Sequence, residues 1–200
     1  MPLIKNKNSN IHIWKNLETS QELLSMLHNQ AKHTEVISQF KSKERVKQYL
    51  TNRLLVQTVI GDFSIKKGIN NKPYIEGSSL EISFSHNKDF TILMTSESSC
   101  GVDVQVPTIK AVRVKSKFIN NDDFCSKSTD LQTLSKAWSC KEAAFKKFGN
   151  NEIFLKENIS IIKELPDNTF EVIVKFKDEQ HSIFLKQENI ENNYVFFTIN

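Results

Sequence analysis

The sequence predicts an α+β protein in which two similar α+β halves pack as a pseudo-dimer with a cleft between them. Apolar residues recur at near-helical spacing early in the chain and give way to short apolar runs over residues 65–106. The same order, helical spacing and then alternation, returns over 109–148 and 159–199. Because no Pro/Ser-rich linker intervenes, we expect an N-terminal half (1–98) packed tightly against a C-terminal half (99–200).

The N-terminal half should begin with a strand and three helices. Thr19 or Ser20, followed by Glu22, forms a capping signature for the first helix. Polar residues 41–43 interrupt the helical spacing between the second and third helices, and Gly61 ends the third. The predicted strands cover residues 11–14, 72–75, 80–84 and 90–94, and the helices cover 19–27 and two stretches within 34–60.

The C-terminal half should contain one early strand, two helices and a final antiparallel sheet. Pro107 ends the strand, and the polar run 120–123 ends the first helix and offers a new N-cap. The clearest helix of the chain follows and is closed by Gly149 at the C′ position. The predicted strands cover 102–106, 159–162, 170–174, 181–185 and 194–199, and the helices cover 109–118 and 129–148.

Composition indicates a globular protein without a membrane segment. Of 200 residues, 38% are hydrophobic, and no run approaches eighteen apolar residues. The first ten residues lack the apolar stretch of a signal peptide, so we expect a cytoplasmic protein. The 3 cysteines show no C-x-x-C spacing, which favours reduced thiols over a disulfide framework or a zinc site.

The charge pattern fits an anionic partner without identifying it. The net charge is +4, and the 27 basic residues include only three arginines. Lysine is a flexible point charge suited to phosphates, whereas reading nucleic-acid bases favours the bidentate guanidinium. An ordinary solvated, lysine-rich surface explains most of these residues equally well.

Three charged side chains are candidates for chemistry. Asp103 lies mid-strand in an apolar segment, where a buried carboxylate needs a partner. Glu142 and Lys146 are i, i+4 neighbours on the predicted helix, with Trp138 one turn earlier on the same face. This pair is either an ordinary surface ion pair or a group at the edge of a cleft. One Asp, one Glu and a nearby Lys would suit a divalent cation beside a phosphate.

Ser85 and His86 leave a predicted strand and enter a turn that contains Lys88. A hydroxyl and an imidazole at that point can bind an anion, or they can be ordinary turn residues. Serine hydrolysis is disfavoured because the two side chains are adjacent and no G-x-S-x-G motif is present. No P-loop or G-x-G-x-x-G motif occurs either.

Four short motifs follow one another along the chain. They are Asn71-Lys72-Pro73-Tyr74, Phe84-Ser85-His86, Gly101-Val102-Asp103-Val104-Gln105 and Trp138-Ser139-Cys140-Lys141-Glu142-Ala143-Ala144-Phe145-Lys146. Together they resemble the 4′-phosphopantetheinyl transferase superfamily, surfactin-synthetase-activating type. Each motif is weak alone, whereas four in register over 71–146 are specific. Weaker similarity over 43–55, which includes Arg45 and Arg53, and after Gly149 extends the resemblance over most of the chain.

The resemblance implies an enzyme that transfers the phosphopantetheine arm of coenzyme A to a carrier-protein serine, with Mg²⁺ as cofactor. Asp103, Glu142 and Gln105 would be the metal ligands. Glu142 would serve as the base and Lys146 as the partner of the leaving 3′,5′-ADP. The residues implied in coenzyme A binding are Lys72, Ser85, His86, Lys141, Arg45 and Arg53. The implied partners are coenzyme A and an acyl or peptidyl carrier protein, with no nucleic acid and no membrane, and the chain would act as a monomer.

One position departs from the family pattern. Gln105 stands where the family usually has a third acidic ligand, and a neutral carboxamide is a weaker ligand for Mg²⁺. The lysine-bearing segment 109–118 is either a docking surface for the acidic carrier protein or part of the core. Two other functions stay open: a coenzyme A-binding homologue with weakened catalysis, and a metal-dependent nuclease, which the lysine excess favours but the Ser85-His86 segment does not.

Overall fold

The computed structural model describes residues 3–5 and 10–199 and is an α+β structure with two antiparallel sheets. The predicted α+β class is therefore confirmed. The helices are α1 (Ser20–Met26), α2 (Gln30–Ile37), α3 (Lys43–Val59), α4 (Ile109–Arg113) and α5 (Leu131–Phe148). The strands are β1 (Leu3–Lys5), β2 (Ile11–Lys15), β3 (Ile65–Lys67), β4 (Pro73–Ile75), β5 (Glu81–His86), β6 (Phe90–Ser96), β7 (Val102–Gln105), β8 (Ile159–Leu165), β9 (Thr169–Phe176), β10 (Glu179–Ile190) and β11 (Asn193–Ile199).

The first sheet has six strands in the order β1-β2-β6-β5-β4-β3, and helices α1 and α3 pack on one of its faces. Thr19 is the N-cap of α1 and forms the predicted capping box with Glu22. The core under the helices includes Trp14 from β2 and Leu50 and Leu55 from α3, all at most 1% exposed. This core fixes the face of α3 that turns away from solvent.

The second sheet has five strands in the order β7-β11-β10-β9-β8, and the long helix α5 packs against it. Asp130 caps the N-terminus of α5, and Gly149 ends the helix in the left-handed region at φ 57°. The apolar side of α5 is buried, with Leu134, Ala143 and Ala144 all at 0% exposure. The sheet therefore determines which residues of α5 remain available to a ligand.

The two sheets meet at strand β7, which is an edge strand of the second sheet. The Oγ atoms of Ser83 and Ser85 on β5 accept hydrogen bonds of 3.1 Å from the backbone N–H groups of Val102 and Val104. Serine hydroxyls of one sheet thus take the place of a neighbouring strand for the other. Apolar side chains from both sheets fill the region around this contact in one shared core, whose members include Ile13, Phe90, Ile92, Val102, Val104 and Phe197.

Gly101 sets the distance between β7 and α5. A Cβ atom at this position would lie 2.0 Å from the carbonyl oxygen of Ala143 and 2.6 Å from the backbone nitrogen of Lys147. Both neighbours are backbone atoms of a helix, so they cannot turn aside. The missing side chain therefore lets the strand that carries Asp103 approach α5 closely.

Three details differ from the sequence prediction. Strands β1 and β3 were not predicted, because each has only three residues and no usable alternation. The predicted helix over 109–118 is the five-residue α4 followed by a 3₁₀ turn at 115–117. The run 120–123 caps no helix, since its Asp123 is buried in an ion pair. None of the described helices has the length and apolar character needed to cross a bilayer.

Candidate functional site

A groove of about 350 Å³ is lined by residues of both halves of the chain. Four of its lining residues are basic, namely Arg53, Lys67, Lys72 and Lys146, and none is acidic. Its apolar wall is formed by Ile65, Pro73, Ile82, Phe84 and Phe145. A cationic groove with one apolar wall suits an anionic ligand that also has an apolar or planar part.

Asp103 is 7% exposed, pairs with the groove residue Lys146 and is held by three side chains in all. Its Oδ1 accepts hydrogen bonds from the hydroxyl of Ser85 (2.9 Å) and from the ammonium of Lys146 (2.7 Å). Its Oδ2 accepts one from the hydroxyl of Ser139 (2.8 Å). The carboxylate is therefore fixed in orientation, and Oδ2 keeps a lone pair for a further donor or a cation.

Lys146 is partnered in the same cluster. Its ammonium donates to Asp103 and, at 3.0 Å, to the carbonyl oxygen of Val102. The side chain is still 26% exposed and lines the groove. A lysine placed in this way can turn from the carboxylate toward an incoming phosphate, because its stem is flexible.

Glu142 lies one helical turn before Lys146 and is partly buried. Desolvation raises the pKa of Glu142, the negative charge of Asp103 raises it further, and Lys146 opposes the shift. Among residues 10–199, no group donates a hydrogen bond to this carboxylate. The two carboxylates repel each other, and that of Glu142 has no hydrogen-bond donor among these residues. A divalent cation bound between them would remove this repulsion.

His86 ends β5 at the groove and remains accessible at one edge. Partial desolvation lowers the pKa of His86, the charge of Lys146 lowers it further, and Asp103 raises it. The imidazole is therefore neutral at pH 7 and can donate or accept one hydrogen bond. Binding of an anion nearby would favour its protonated form.

Ser85 does not face the groove, in contrast to the prediction. It is 4% exposed, donates to Asp103 and accepts from the backbone of Val104, which uses its hydrogen-bonding capacity within the protein. Its position next to His86 explains the difference, because successive residues of a strand point to opposite faces. Ser85 is therefore a support for Asp103.

Lys72 lines the groove, although its ammonium is directed to the junction of the two halves. It pairs with Glu81 at 2.9 Å and donates to Ser99 Oγ at 2.8 Å and to the carbonyl oxygen of Lys147 at 3.2 Å. Its stem lies against Gly149, where an added Cβ would be 2.6 Å from Lys72 Cδ. Lys72 thus joins the N-terminal half to the end of α5 and leaves only part of its charge to a ligand.

The two predicted arginines have different positions. Arg53 lines the groove with its guanidinium 3.8 Å from the ring centroid of Tyr49, and desolvation lowers its pKa. Arg45 is exposed, lies over Phe40 and is not a lining residue, so its predicted contact with coenzyme A is not supported. Beside Arg53, the buried Oδ1 of Asn52 accepts no hydrogen bond within the described part of the chain.

The position of Lys141 differs from the prediction. Its side chain has 0% exposure, and its ammonium lies 2.7 Å from Asp123 Oδ2 and within 3.2 Å of the carbonyl oxygens of Phe118, Leu155 and Ile159. This position contradicts the prediction that Lys141 holds a phosphate of coenzyme A. The residue before Glu142 on a helix points about 100° away from it, here into the core.

The implied Mg²⁺ site has a donor set of suitable chemical type. Asp103 and Glu142 supply two carboxylates, and the half-buried Gln105 lies on the same face of β7 as Asp103. Within the described residues, no group of three His, Cys, Asp or Glu side chains is arranged for a metal ion. Two carboxylates and a carboxamide nevertheless fit Mg²⁺, which usually keeps several waters and takes one or two carboxylates.

A second cavity of about 630 Å³ lies on the other side of Phe145. Phe145 and Asn151 border both cavities, and Glu142 opens only into the second. The second cavity is otherwise lined by Ser116, Lys117 and residues 153–157. Lys146 and Glu142 therefore face two adjoining spaces from neighbouring turns of one helix.

No protein-family model and no curated protein matches the chain. A function for the chain therefore has to be inferred from its sequence motifs and from the geometry of the groove and of the Asp103 cluster.

Ser139 and Asp123 are the two important residues that the sequence argument missed. Ser139 precedes Lys146 by seven residues, so the two lie on one face of α5 and both reach Asp103. That spacing was a usable signal. Asp123 gave no such signal, because its partner Lys141 lies 18 positions away on another element.

Proposed function

We propose that this chain transfers the 4′-phosphopantetheine arm of coenzyme A to a serine hydroxyl of an apo-carrier protein and releases 3′,5′-ADP. One observation carries the proposal: a groove with four basic lining residues and no acidic one includes Lys146, which pairs with Asp103 and lies one helical turn after Glu142. Three of the four motifs that resemble the family contribute a residue to the groove lining, namely Lys72, His86 and Lys146. The pseudo-dimer with a central cleft, which the resemblance implies, belongs to the same proposal.

The groove would take the nucleotide end of coenzyme A. Arg53, Lys67 and His86 line the groove and would contact phosphates, and the apolar wall with Phe84 would suit the flat base. Lys72 contributes charge from the side of the groove.

The chemistry would be an in-line displacement at the β-phosphate of coenzyme A. The serine oxygen forms a bond to that phosphorus, and the bond from the phosphorus to the bridging oxygen of the pyrophosphate breaks. Glu142 takes the serine proton, for which its raised pKa makes it a stronger base once ionised. Lys146 leaves Asp103, neutralises the charge on the departing 3′,5′-ADP and gives it a proton. Asp103, Glu142 and Gln105 would hold Mg²⁺, which would supply further charge neutralisation when bound.

The carrier protein would bind next to the second cavity. The segment 109–118 carries four basic residues, and its Ile109 is 52% exposed. Phe118 is 1% exposed and Ala111 is also buried, so these two positions of the segment are core. The segment 109–118 therefore contains both core residues and exposed residues. An acidic carrier protein would contact the exposed ones.

The test is incubation with coenzyme A, Mg²⁺ and a panel of apo-carrier proteins, followed by intact-mass measurement of the carrier. We expect a mass increase of one phosphopantetheine arm, lost on chelation of the metal. Binding of 3′,5′-ADP measured by calorimetry is the parallel readout. Nucleotide binding without any modified carrier would favour the weakened coenzyme A-binding homologue, and absence of both results would refute the proposal.

A further inference from the structure

The buried ion pair of Lys141 and Asp123 has no part in the proposed chemistry, yet it lies directly beside Glu142 in sequence. Both side chains have 0% exposure, and their charged atoms are 2.7 Å apart. Burying two charges costs free energy that a well-packed apolar pair would not cost. The other hydrogen bonds of the two side chains indicate a structural role that would offset this cost.

The pair joins two chain segments to α5. The ammonium of Lys141 contacts the carbonyl oxygens of Phe118 on one side and of Leu155 and Ile159 on the other. Asp123 extends the connection, because it accepts hydrogen bonds of 2.8 Å from the backbone N–H groups of Asn120 and Ile161. All of these donors and acceptors belong to segments 118–123 and 155–161.

These two segments continue into the lining of the second cavity. Residues 116–117 and 153–157 both line it, and so does Glu142. Asn120 links the same two segments again, since its side-chain nitrogen donates to the carbonyl oxygens of Lys156 and Ile159. One buried ammonium therefore joins both lining segments to the helix that carries Glu142.

We propose that Lys141 and Asp123 are positioning residues that hold the second cavity in the shape that admits the acceptor serine to Glu142. This inference rests on the proposed transferase function. The pair touches neither substrate. It acts through the walls of the cavity, so its loss should impair use of the carrier protein and leave the coenzyme A groove, which lies beyond Phe145, unchanged.

The test uses the full chain with both charges removed, Lys141→Met with Asp123→Asn, because the single Lys141→Met leaves a buried carboxylate unpaired and endangers folding. Lys136→Met, on the same helix, is the control for loss of one lysine. Hydrogen exchange should be faster in the double variant at the amides of Ile119 and Asn158, which close turns onto Lys115 and Phe154. We expect kcat/KM for the carrier protein to fall by about 10–100-fold, with KM for coenzyme A within about twofold of wild type.

Unchanged exchange at Ile119 and Asn158 would overturn the proposal, and so would a double variant that keeps the wild-type kcat/KM for the carrier. A rise in KM for coenzyme A as large as the fall in kcat/KM for the carrier would also overturn it, because the damage would then be general. These outcomes differ from failure of the proposed transfer itself, in which the wild-type chain modifies no carrier.

Discussion

The ammonium of Lys146 lies 2.7 Å from Oδ1 of Asp103, which pairs the expected phosphate-binding lysine with the expected metal-binding carboxylate. In the free protein each group therefore neutralises the other. A ligand that brings both a cation and a phosphate would separate them, because the cation takes the carboxylate and the phosphate takes the ammonium. Binding of metal and of nucleotide should consequently support each other.

Replacement of Lys146 by methionine should reduce both stability and transfer. Asp103 would keep the hydroxyls of Ser85 and Ser139 but lose its counter-charge, at a cost of about 1–3 kcal/mol in the free energy of unfolding. Transfer to a carrier should fall by about 100-fold or more, since the charge on the leaving group is no longer neutralised. Urea unfolding and a mass time course measure the two effects. The exposed Lys127→Met is the control, and equal effects of both substitutions would contradict the role of Lys146.

Glu142→Gln should stabilise the protein at neutral pH while it abolishes transfer. The pKa of Glu142 is raised in the folded state, so its contribution to stability is fully present below the unfolded value of about 4.5 and is lost as pH rises through the folded pKa. Above that pH the wild type carries a destabilising charge that glutamine lacks. We expect the variant to have the higher Tm at pH 8 and a Tm equal to that of wild type at pH 4. A Tm difference that is the same at both pH values would show that the carboxylate is not perturbed.

Gln105→Glu should lower the Mg²⁺ concentration that gives half-maximal transfer. The substitution adds a third carboxylate on the face of β7 that carries Asp103, and a carboxylate is a stronger Mg²⁺ ligand than a carboxamide. Transfer rates over a magnesium titration provide the measurement. An unchanged midpoint would exclude position 105 from the metal site.

Gly101→Ala should destabilise the protein strongly. Its Cβ would lie 2.0 Å from the Ala143 carbonyl oxygen, so β7 and α5 must separate. Overpacking of this kind costs about 3 kcal/mol, and it would also displace Asp103 from Ser139. Gly68→Ala is the matched control, because its nearest neighbour would be 3.5 Å away. Chemical denaturation of both variants separates the steric effect from a general preference for glycine, and similar stabilities would contradict the close approach.

The sequence predicted long elements and residues on one helix face better than contacts between distant segments. Helix α5 was recognisable because its periodic apolar face ends at Gly149, and the i, i+4 spacing placed Glu142 beside Lys146. The interior position of Lys141 was not predictable in the same way. A lysine is rarely fully buried unless it is paired with a carboxylate. Asp123, the partner of Lys141, is carried on a loop whose path depends on the whole C-terminal core.

The serine contacts between the two sheets have a consequence for the order of assembly. Ser83 and Ser85 alternate with Ile82 and Phe84 along β5, so a shift of one residue would bring apolar side chains to the N–H groups of β7. Only one register of the two sheets gives the backbone N–H groups of Val102 and Val104 their hydrogen-bond acceptors. Asp103 therefore acquires its full set of partners after both sheets have formed and docked. During refolding, the proposed binding of nucleotide and metal should be the last native property to return.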